Sequence, residues 1–502
     1  MASMLIRSVL VADSERFRDP RRVDLLLSGD SIERITASGT APSAAPTTTI
    51  DGTMLLATPG LLNCHLHSHE HFQKGRYDNV PLEHWSFYVR PPAGYPYSAR
   101  QIYLRTLVGA IEALRSGTTT VVDDLNIAPQ LDPEHLAAVH QAYEDVGLRA
   151  LVGISMMDKP FFQALPFAAE EFPAELRERI AGYPRAAPED FLRLCRRLAR
   201  ERHPRDKRVG FIVAPSAPQR CTDAFLREAR RLADEFDLPA IIHVQETRLQ
   251  VVTGLLQHGK TLVRHLADLG FLKPKTSLVH AVWLDDAEIR LLAESGASVQ
   301  HNPWSNLRIG SGVAPVRELL AAGVNLSLGS DGCASTDTCN MLTTVSAAAA
   351  LAKLRGDDFP RWPGVAEIWR AGTVGGATAL GLGDRLGRIE EGLRADLVLY
   401  RTDTVPFTPL HNPLQQLVYA ERGASVDTVV VDGEVVMRGG RLTRIDEPAV
   451  LGEVREEIEK LRPVLDRLDD EARRMWPPTD RIYRRCLAHP IGSSTHPAKL
   501  PG

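Results

Sequence analysis

Residues 58–71 read Thr-Pro-Gly-Leu-Leu-Asn-Cys-His-Leu-His-Ser-His-Glu-His. A Pro-Gly turn, a short apolar run and two histidines one residue apart describe a buried strand that ends in polar chemistry. Alternate residues of an extended chain share a side, so His65 and His67 can reach one ion. The pattern recurs downstream. Residues 119–123, 149–154, 209–214, 240–243, 277–280, 297–301 and 324–329 are further short apolar runs separated by helical patterns. Eight runs alternating with helices predict an α/β fold, a (β/α)8 TIM barrel over residues 59–383.

Five of the eight runs finish in a histidine or an acid: His65 with His67, then His243, His280, His301 and Asp331. Strands of such a barrel end at its catalytic face, so these side chains are expected to converge. Imidazoles from His65, His67 and His243 with the Asp331 carboxylate make a nitrogen and oxygen set suited to one divalent ion. Zn2+ is the first choice, and Fe2+ or Mn2+ is also compatible. Water at an open position of such an ion has its pKa lowered to about 7. The string His67-Ser68-His69-Glu70-His71 also spells the H-x-x-E-H pattern of inverted zinc proteases. That chemistry needs a helix, whereas this string leaves a strand, so His69 and His71 are expected in a loop over the site.

Short β-rich runs at both chain ends predict a small β-sandwich domain built from residues 1–58 and 384–446. Residues 447–502 form a C-terminal extension. In it Leu451, Val454, Ile458, Leu461, Leu465, Leu468, Ala472 and Met475 follow the three-and-four spacing of an amphipathic helix. Pro463 is expected to kink or divide that helix, and its apolar stripe to pack on the body or on a second subunit. The last residues read as an extended tail. An insert over residues 156–206, rich in Phe and Pro, reads as a lid or substrate-facing loop.

Composition narrows the class. Apolar residues are 44% and charged residues 24%, as in globular proteins. A net charge of -4 gives no reason to expect nucleic acid or an anionic membrane as partner. No apolar stretch of about 18 residues spans a bilayer, and the N-terminus has no signal-peptide pattern. Six cysteines without a C-x-x-C pair read as reduced thiols of a cytoplasmic enzyme rather than a disulfide framework.

Several segments together resemble the amidohydrolase superfamily. They are Thr58-Pro59-Gly60-Leu61-Leu62-Asn63 before His65-x-His67, His243-Val244-Gln245-Glu246-Thr247, and His280 after its strand. His301-Asn302-Pro303-Trp304-Ser305-Asn306, Leu328-Gly329-Ser330-Asp331-Gly332 and Gly392-Leu393-Arg394-Ala395-Asp396-Leu397-Val398 complete the set, which spans residues 4–440. The branch resembled holds S-adenosylhomocysteine/methylthioadenosine deaminases, guanine-type deaminases and triazine chlorohydrolases. The resemblance implies that His65, His67, His243 and Asp331 are metal ligands. It implies that His280 hydrogen-bonds the attacking water or the developing tetrahedral centre. Glu246 would carry a proton from water to substrate, with Asp331 assisting. Binuclear relatives place a carboxylated lysine at the end of the fourth strand. Here that strand ends Ala214-Pro215-Ser216 and Lys207 precedes it, so one metal is expected.

The fourth-strand motif of adenosine-type relatives resembles His-Ala-Pro. This chain has Ser216-Ala217-Pro218-Gln219-Arg220-Cys221 instead, which removes a recognition group. Pro81-Leu82-Glu83-His84-Trp85 resembles a substrate-loop segment of that branch. The expected substrate contacts are Trp85, Ser216, Arg220, His301 and Trp304, with Arg90 and Gln219 as further candidates. The expected activity is metal-dependent hydrolytic deamination of a purine-, pyrimidine- or triazine-like heterocycle. Hydrolysis of a cyclic amide, or of a substituent other than ammonia, is the alternative, and an inactive scaffold homologue is a lesser one. A homodimer is expected from the family and from the extra helix.

Overall fold

Segments rich in Leu, Ile and Val become strands wherever both faces can be covered. In the computed structural model, which describes residues 3–12, 20–40, 46–127, 131–183, 185–354, 356 and 358–492, seventeen strands follow in chain order. The N-terminal part gives β1 (Ser3–Val11), β2 (Arg21–Ser28), β3 (Ser31–Ala37), β4 (Thr48–Asp51) and β5 (Leu55–Pro59). The middle gives β6 (Leu61–Leu66), β7 (Thr118–Leu125), β8 (Arg149–Ile154) and β9 (Val209–Phe211). Then come β10 (Ala240–Val244), β11 (Thr276–His280), β12 (Ser298–His301) and β13 (Leu326–Leu328). The last are β14 (Leu397–Arg401), β15 (Val426–Val431), β16 (Glu434–Arg438) and β17 (Arg441–Leu442).

The eight middle strands form two four-stranded sheets, ordered β6-β7-β8-β9 and β10-β11-β12-β13, and every pair in them is parallel. All their residues are buried. Burial on both faces is why they read as continuous apolar runs rather than as alternation. The sheets meet along two seams. Ala240 bridges to Val213 just beyond β9, where Ile241 N–H donates to Val213 O at 2.9 Å. On the other side Asp331 N–H donates to His65 O at 2.9 Å. Helices cover the outside. Ala99–Arg115 starts at a Ser98–Gln101 capping box, and Pro133–Val146 starts at an Asp132 cap with Gly147 closing it at φ 79°.

Strands from the two chain ends share one nine-stranded sheet, ordered β17-β16-β15-β14-β5-β1-β2-β3 with β4 beside β1. It is tied to the starts of the parallel strands by a buried ionic seam. Arg149, the first residue of β8, reaches Asp396 at 3.0 Å and also pairs with Asp432. Arg208 reaches Asp432 at 3.2 Å, and Asp432 N–H donates to Asp396 Oδ1 at 2.9 Å.

The C-terminal helix is not divided at Pro463. The helix Glu447–Arg473 continues past Pro463, and the break comes at its end, before the helix Trp476–Ala488. Pro463 is exposed, whereas Leu461, Leu465, Leu468 and Ala472 are buried against the body. The missing N–H therefore falls on the solvent side, where water can satisfy the freed carbonyl, while packing holds the helix. Arg100–Glu453 at 2.5 Å, Arg115–Glu447 at 2.6 Å and Arg76–Asp469 at 2.7 Å pin it further. The tail past residue 492 lies outside the described residues.

The insert is partly helical, with Ala168–Glu171, Ala174–Ala181 and Pro188–Glu201. Its Phe161 ring lies 5.2 Å from Phe87 on the helix Leu82–Val89, and Phe162 lies 5.0 Å from Phe172. The second C-terminal helix joins this cluster through Trp476, whose ring is 5.3 Å from His84. Insert and extension thus brace the helix that carries Glu83 and Trp85. The six cysteines are buried and unpaired. Among the described residues no helix is long and apolar enough to cross a membrane.

Candidate metal centre and active site

The side chains at the strand ends meet at the seam between the two parallel sheets. His65 and His67 leave β6, and Asp331 follows β13 in the left-handed region at φ 67°. His280 ends β11 at φ 71°, and Gln245 follows β10 at φ 48°. Non-glycine residues pay conformational energy to sit there, and such outliers gather where a site dictates side-chain direction.

His65, His67 and His243 offer ring nitrogens that lie within 4.8 Å of one another, and so do His65, His280 and Asp331. Asp331 Oδ1 is 3.5 Å from His65 Nε2 and 3.4 Å from His67 Nε2. Ring orientation is fixed from behind. His67 Nδ1 bonds Asp124 O at 2.7 Å, and His243 Nδ1 bonds Ser216 O at 2.9 Å. Donating that N–H leaves the Nε2 lone pair free for a cation. His65 is fully buried, its Nδ1 has no hydrogen-bond partner, and its Nε2 faces only the Asp331 carboxylate. Burial holds the three rings below the ordinary histidine range, with neighbouring histidines adding to it for His67 and His243. Burial disfavours the Asp331 charge, but the His65 hydrogen bond and the surrounding histidines hold its carboxyl well below the usual range. Neutral imidazoles around an ionised carboxylate are the ligand forms of a divalent metal site, so the donor set fits such an ion.

Glu246 sits beside the cluster, with Oε2 3.6 Å from His280 Nε2, which is itself 3.8 Å from Asp331 Oδ2. Burial pushes the Glu246 carboxyl up to about 7, against the pull of His280. A carboxyl that titrates near neutrality can both take and give a proton. Its loop is braced, because the Thr247 hydroxyl donates to Glu83 Oε1 at 2.7 Å and Glu246 N–H donates to Gln250 Oε1 at 3.0 Å. His280 Nδ1 pairs with Asn306 Oδ1 at 2.9 Å.

The expected substrate contacts divide. Ser216 and Arg220 stand next to the cluster, where the Arg220 guanidinium donates to Ser216 Oγ at 3.1 Å. Arg90 approaches the same oxygen at 3.5 Å. His301 is 1% exposed with both ring nitrogens unpartnered, and burial beside His280 pulls its pKa down to about 3. The Trp85 indole is buried and donates to Ala334 O at 3.1 Å, on the loop that follows Asp331. Trp304 donates to Thr343 O at 3.3 Å on the neighbouring helix Met341–Leu351, and no described contact joins it to the cluster.

Three residues near the cluster have no role assigned from the sequence. Asp124, one position past the quoted second run, has Oδ2 3.6 Å from His243 Nδ1, and burial raises its carboxyl to about 7. Glu70 lies 3.7 Å from His69 and accepts from Ala334 N–H at 3.3 Å. Burial and Asp331 push it well above the carboxylate range. A Cβ on Gly332 would stand 1.8 Å from the Glu70 carboxylate, so any larger residue after Asp331 requires Glu70 to move. Glu83 is the third. A buried acid inside an apolar run, as in Val121-Val122-Asp123-Asp124-Leu125, was the available signal. A cavity of about 720 Å3 lined by His84, Arg308, Trp476 and Tyr483 includes none of the clustered residues.

The model of the amidohydrolase family matches residues 56–436. A 5'-deoxyadenosine deaminase of Methanothermobacter thermautotrophicus is 35% identical over 432 residues, which is 86% of this chain and 93% of that protein. A 5-methylthioadenosine/S-adenosylhomocysteine deaminase of Desulforudis audaxviator is 35% identical over 408 residues, 80% of this chain and 86% of that one. Among solved structures, an adenosine deaminase from Xanthomonas campestris with bound zinc superposes with a TM-score of 0.81 at 30% identity, covering 92% of this chain and 99% of the other. The zinc complex of an atrazine chlorohydrolase from Arthrobacter aurescens gives 0.80 at 25% identity, covering 91% and 100%.

Proposed function

The chain belongs to the amidohydrolase family, and on that premise we propose that it is a metal-dependent aminohydrolase that removes ammonia from an aminated heterocycle. The observation that carries this reading is the meeting of three neutral imidazoles and one ionised carboxylate beside a carboxyl poised near neutrality. One divalent ion, Zn2+ first, would be held by His65, His67, His243 and Asp331. When bound it supplies Lewis acidity and lowers the pKa of a water to about 7. Glu246 takes one proton of the attacking water and delivers it to the ring nitrogen, and the water's second proton, left on the new hydroxyl, passes with help from Asp331 to the amino group, which departs as ammonia. His280 would face the reacting oxygen through Nε2, with Asn306 Oδ1 holding Nδ1 and fixing the ring.

The two seams between the parallel sheets support their closure as a (β/α)8 barrel over residues 59–383. The shared nine-stranded sheet supports a composite β-sandwich domain from residues 1–58 and 384–446, with 447–502 as an appended brace. A cytoplasmic homodimer completes the reading, which rests on the buried unpaired thiols and the family resemblance.

Ammonia release from a panel of aminopurines, aminopyrimidines and aminotriazines, measured with the zinc-loaded protein, tests the reaction. Stoichiometric ammonia is expected from at least one. A product that keeps every substrate nitrogen would move the assignment to hydrolysis of a cyclic amide or of another ring substituent.

A further inference from the structure

Arg90 and Arg220 point both guanidinium groups at Ser216 Oγ, at 3.5 and 3.1 Å. Ser216 is fully buried, and its main-chain oxygen holds His243 Nδ1 at 2.9 Å. The two cations therefore stand within one residue of a proposed metal ligand. Arg90 is close enough to act electrostatically on His65, His67, His243, Glu70 and Asp124, and Arg220 on Glu246 and Asp124.

Neither guanidinium has a carboxylate within 4.0 Å among the described residues, and Arg90 Nε is buried without a partner. The acids on which these guanidinium groups act, Asp124, Glu246 and Glu70, all stand beyond 4.0 Å from them, so no carboxylate pairs with either cation among the described residues. Burial and the like charge of Arg90 pull Arg220 itself down to about 9. Two adjacent cations sharing one serine hydroxyl are a costly arrangement unless an anion joins them. Their planar forks suit a carboxylate or another oxyanion with two acceptor sites.

We propose that the natural substrate is a compact heterocycle whose own ring bears a negative charge, as a carboxylate or an ionised ring hydroxyl, held by Arg90 and Arg220 next to the reacting carbon. The charge lies on the ring rather than at the end of a long substituent, because Ser216 links the guanidinium pair directly to His243. A neutral nucleoside would leave both cations unpaired on closing the site. The inference rests on the deaminase reading and adds the charge of the substrate to it.

Paired probes test it: an aminopyrimidine carboxylate against its carboxamide, and an amino-hydroxy-heterocycle against its O-methyl ether. Ammonia release by the zinc-loaded wild type is expected to favour the anionic member of at least one pair by about tenfold or more in kcat/KM. The pair that shows it identifies carboxylate or ring oxyanion. Arg220→Met and Arg90→Met should each remove the preference with zinc content and circular dichroism unchanged, while Arg220→Lys keeps part of it. Equal use of charged and neutral members, or a preference that survives in both methionine variants, overturns the proposal. If no probe releases ammonia, thermal shifts decide. Anions that raise Tm in wild type but not in Arg220→Met retain the anion site and overturn only the deaminase reading, whereas absence of any shift overturns the site as well.

Discussion

Two buried polar clusters lie at opposite ends of the parallel strands, and they are built on opposite principles. At the strand starts, Arg149, Asp396, Asp432 and Arg208 satisfy one another, and the main chain of Asp432 closes the network. At the strand ends, both ring nitrogens of His301 and Nδ1 of His65 are buried without a partner. Buried polar atoms are ordinarily paired, so an orphaned set of donors and acceptors marks a place prepared for something other than protein. The satisfied seam holds the two sheet systems together. The unsatisfied one is where the proposed cation and substrate would bind. Similar residue types therefore serve stability at one end and chemistry at the other.

The contrast breaks most visibly at the strand ends. His243→Ala should abolish zinc retention and lower kcat/KM by more than about 10^4-fold, while the metal-free variant unfolds no earlier than the metal-free wild type. Metal analysis and thermal melts of both apo-proteins check this. Glu246→Gln should keep the metal but cost about 10^2- to 10^4-fold in kcat/KM. The wild-type rate should fall as pH drops below about 7, where Glu246 takes up its proton and ceases to be a base, and the variant should lose that acid limb.

Arg149→Met inverts the pattern. It strands Asp396 and Asp432 without their cation and should lower unfolding free energy by about 3–5 kcal/mol in urea titrations. Zinc content and kcat of the folded fraction should stay as in wild type. Asp124→Asn gives the smallest change. Asp124 sits behind His243 rather than on the reacting atoms, so a loss of about tenfold in zinc affinity is expected by competitive chelation. A loss as large as that of His243→Ala would place Asp124 among the ligands themselves.

The candidate metal residues were legible because parallel strands convert position in sequence into position in space. A histidine at the end of an apolar run lies on one face of the sheet, whatever happens in the loops. Asp124 escaped notice because β7 runs two residues past the point where its apolar pattern stops. Arg90 was no more than a candidate, since it closes the helix Leu82–Val89, whose placement over the site depends on packing by Phe161 and by the C-terminal helices. Pro463 misled for a related reason. Intrinsic preference predicts a break, and burial of Leu461 and Leu465 overrides it.

The sequence by itself determined the alternation of strands and helices, the histidines and acid that gather at the strand ends, and the strand-rich character of both termini. These follow from local periodicity and from a fixed rule about which way strand ends point. Only the tertiary structure decided which polar groups are satisfied and which are left open. It also decided that two arginines more than a hundred residues apart share one serine oxygen beside His243. Hydrogen-bond satisfaction and charge balance depend on distances between distant segments, and no local pattern encodes them.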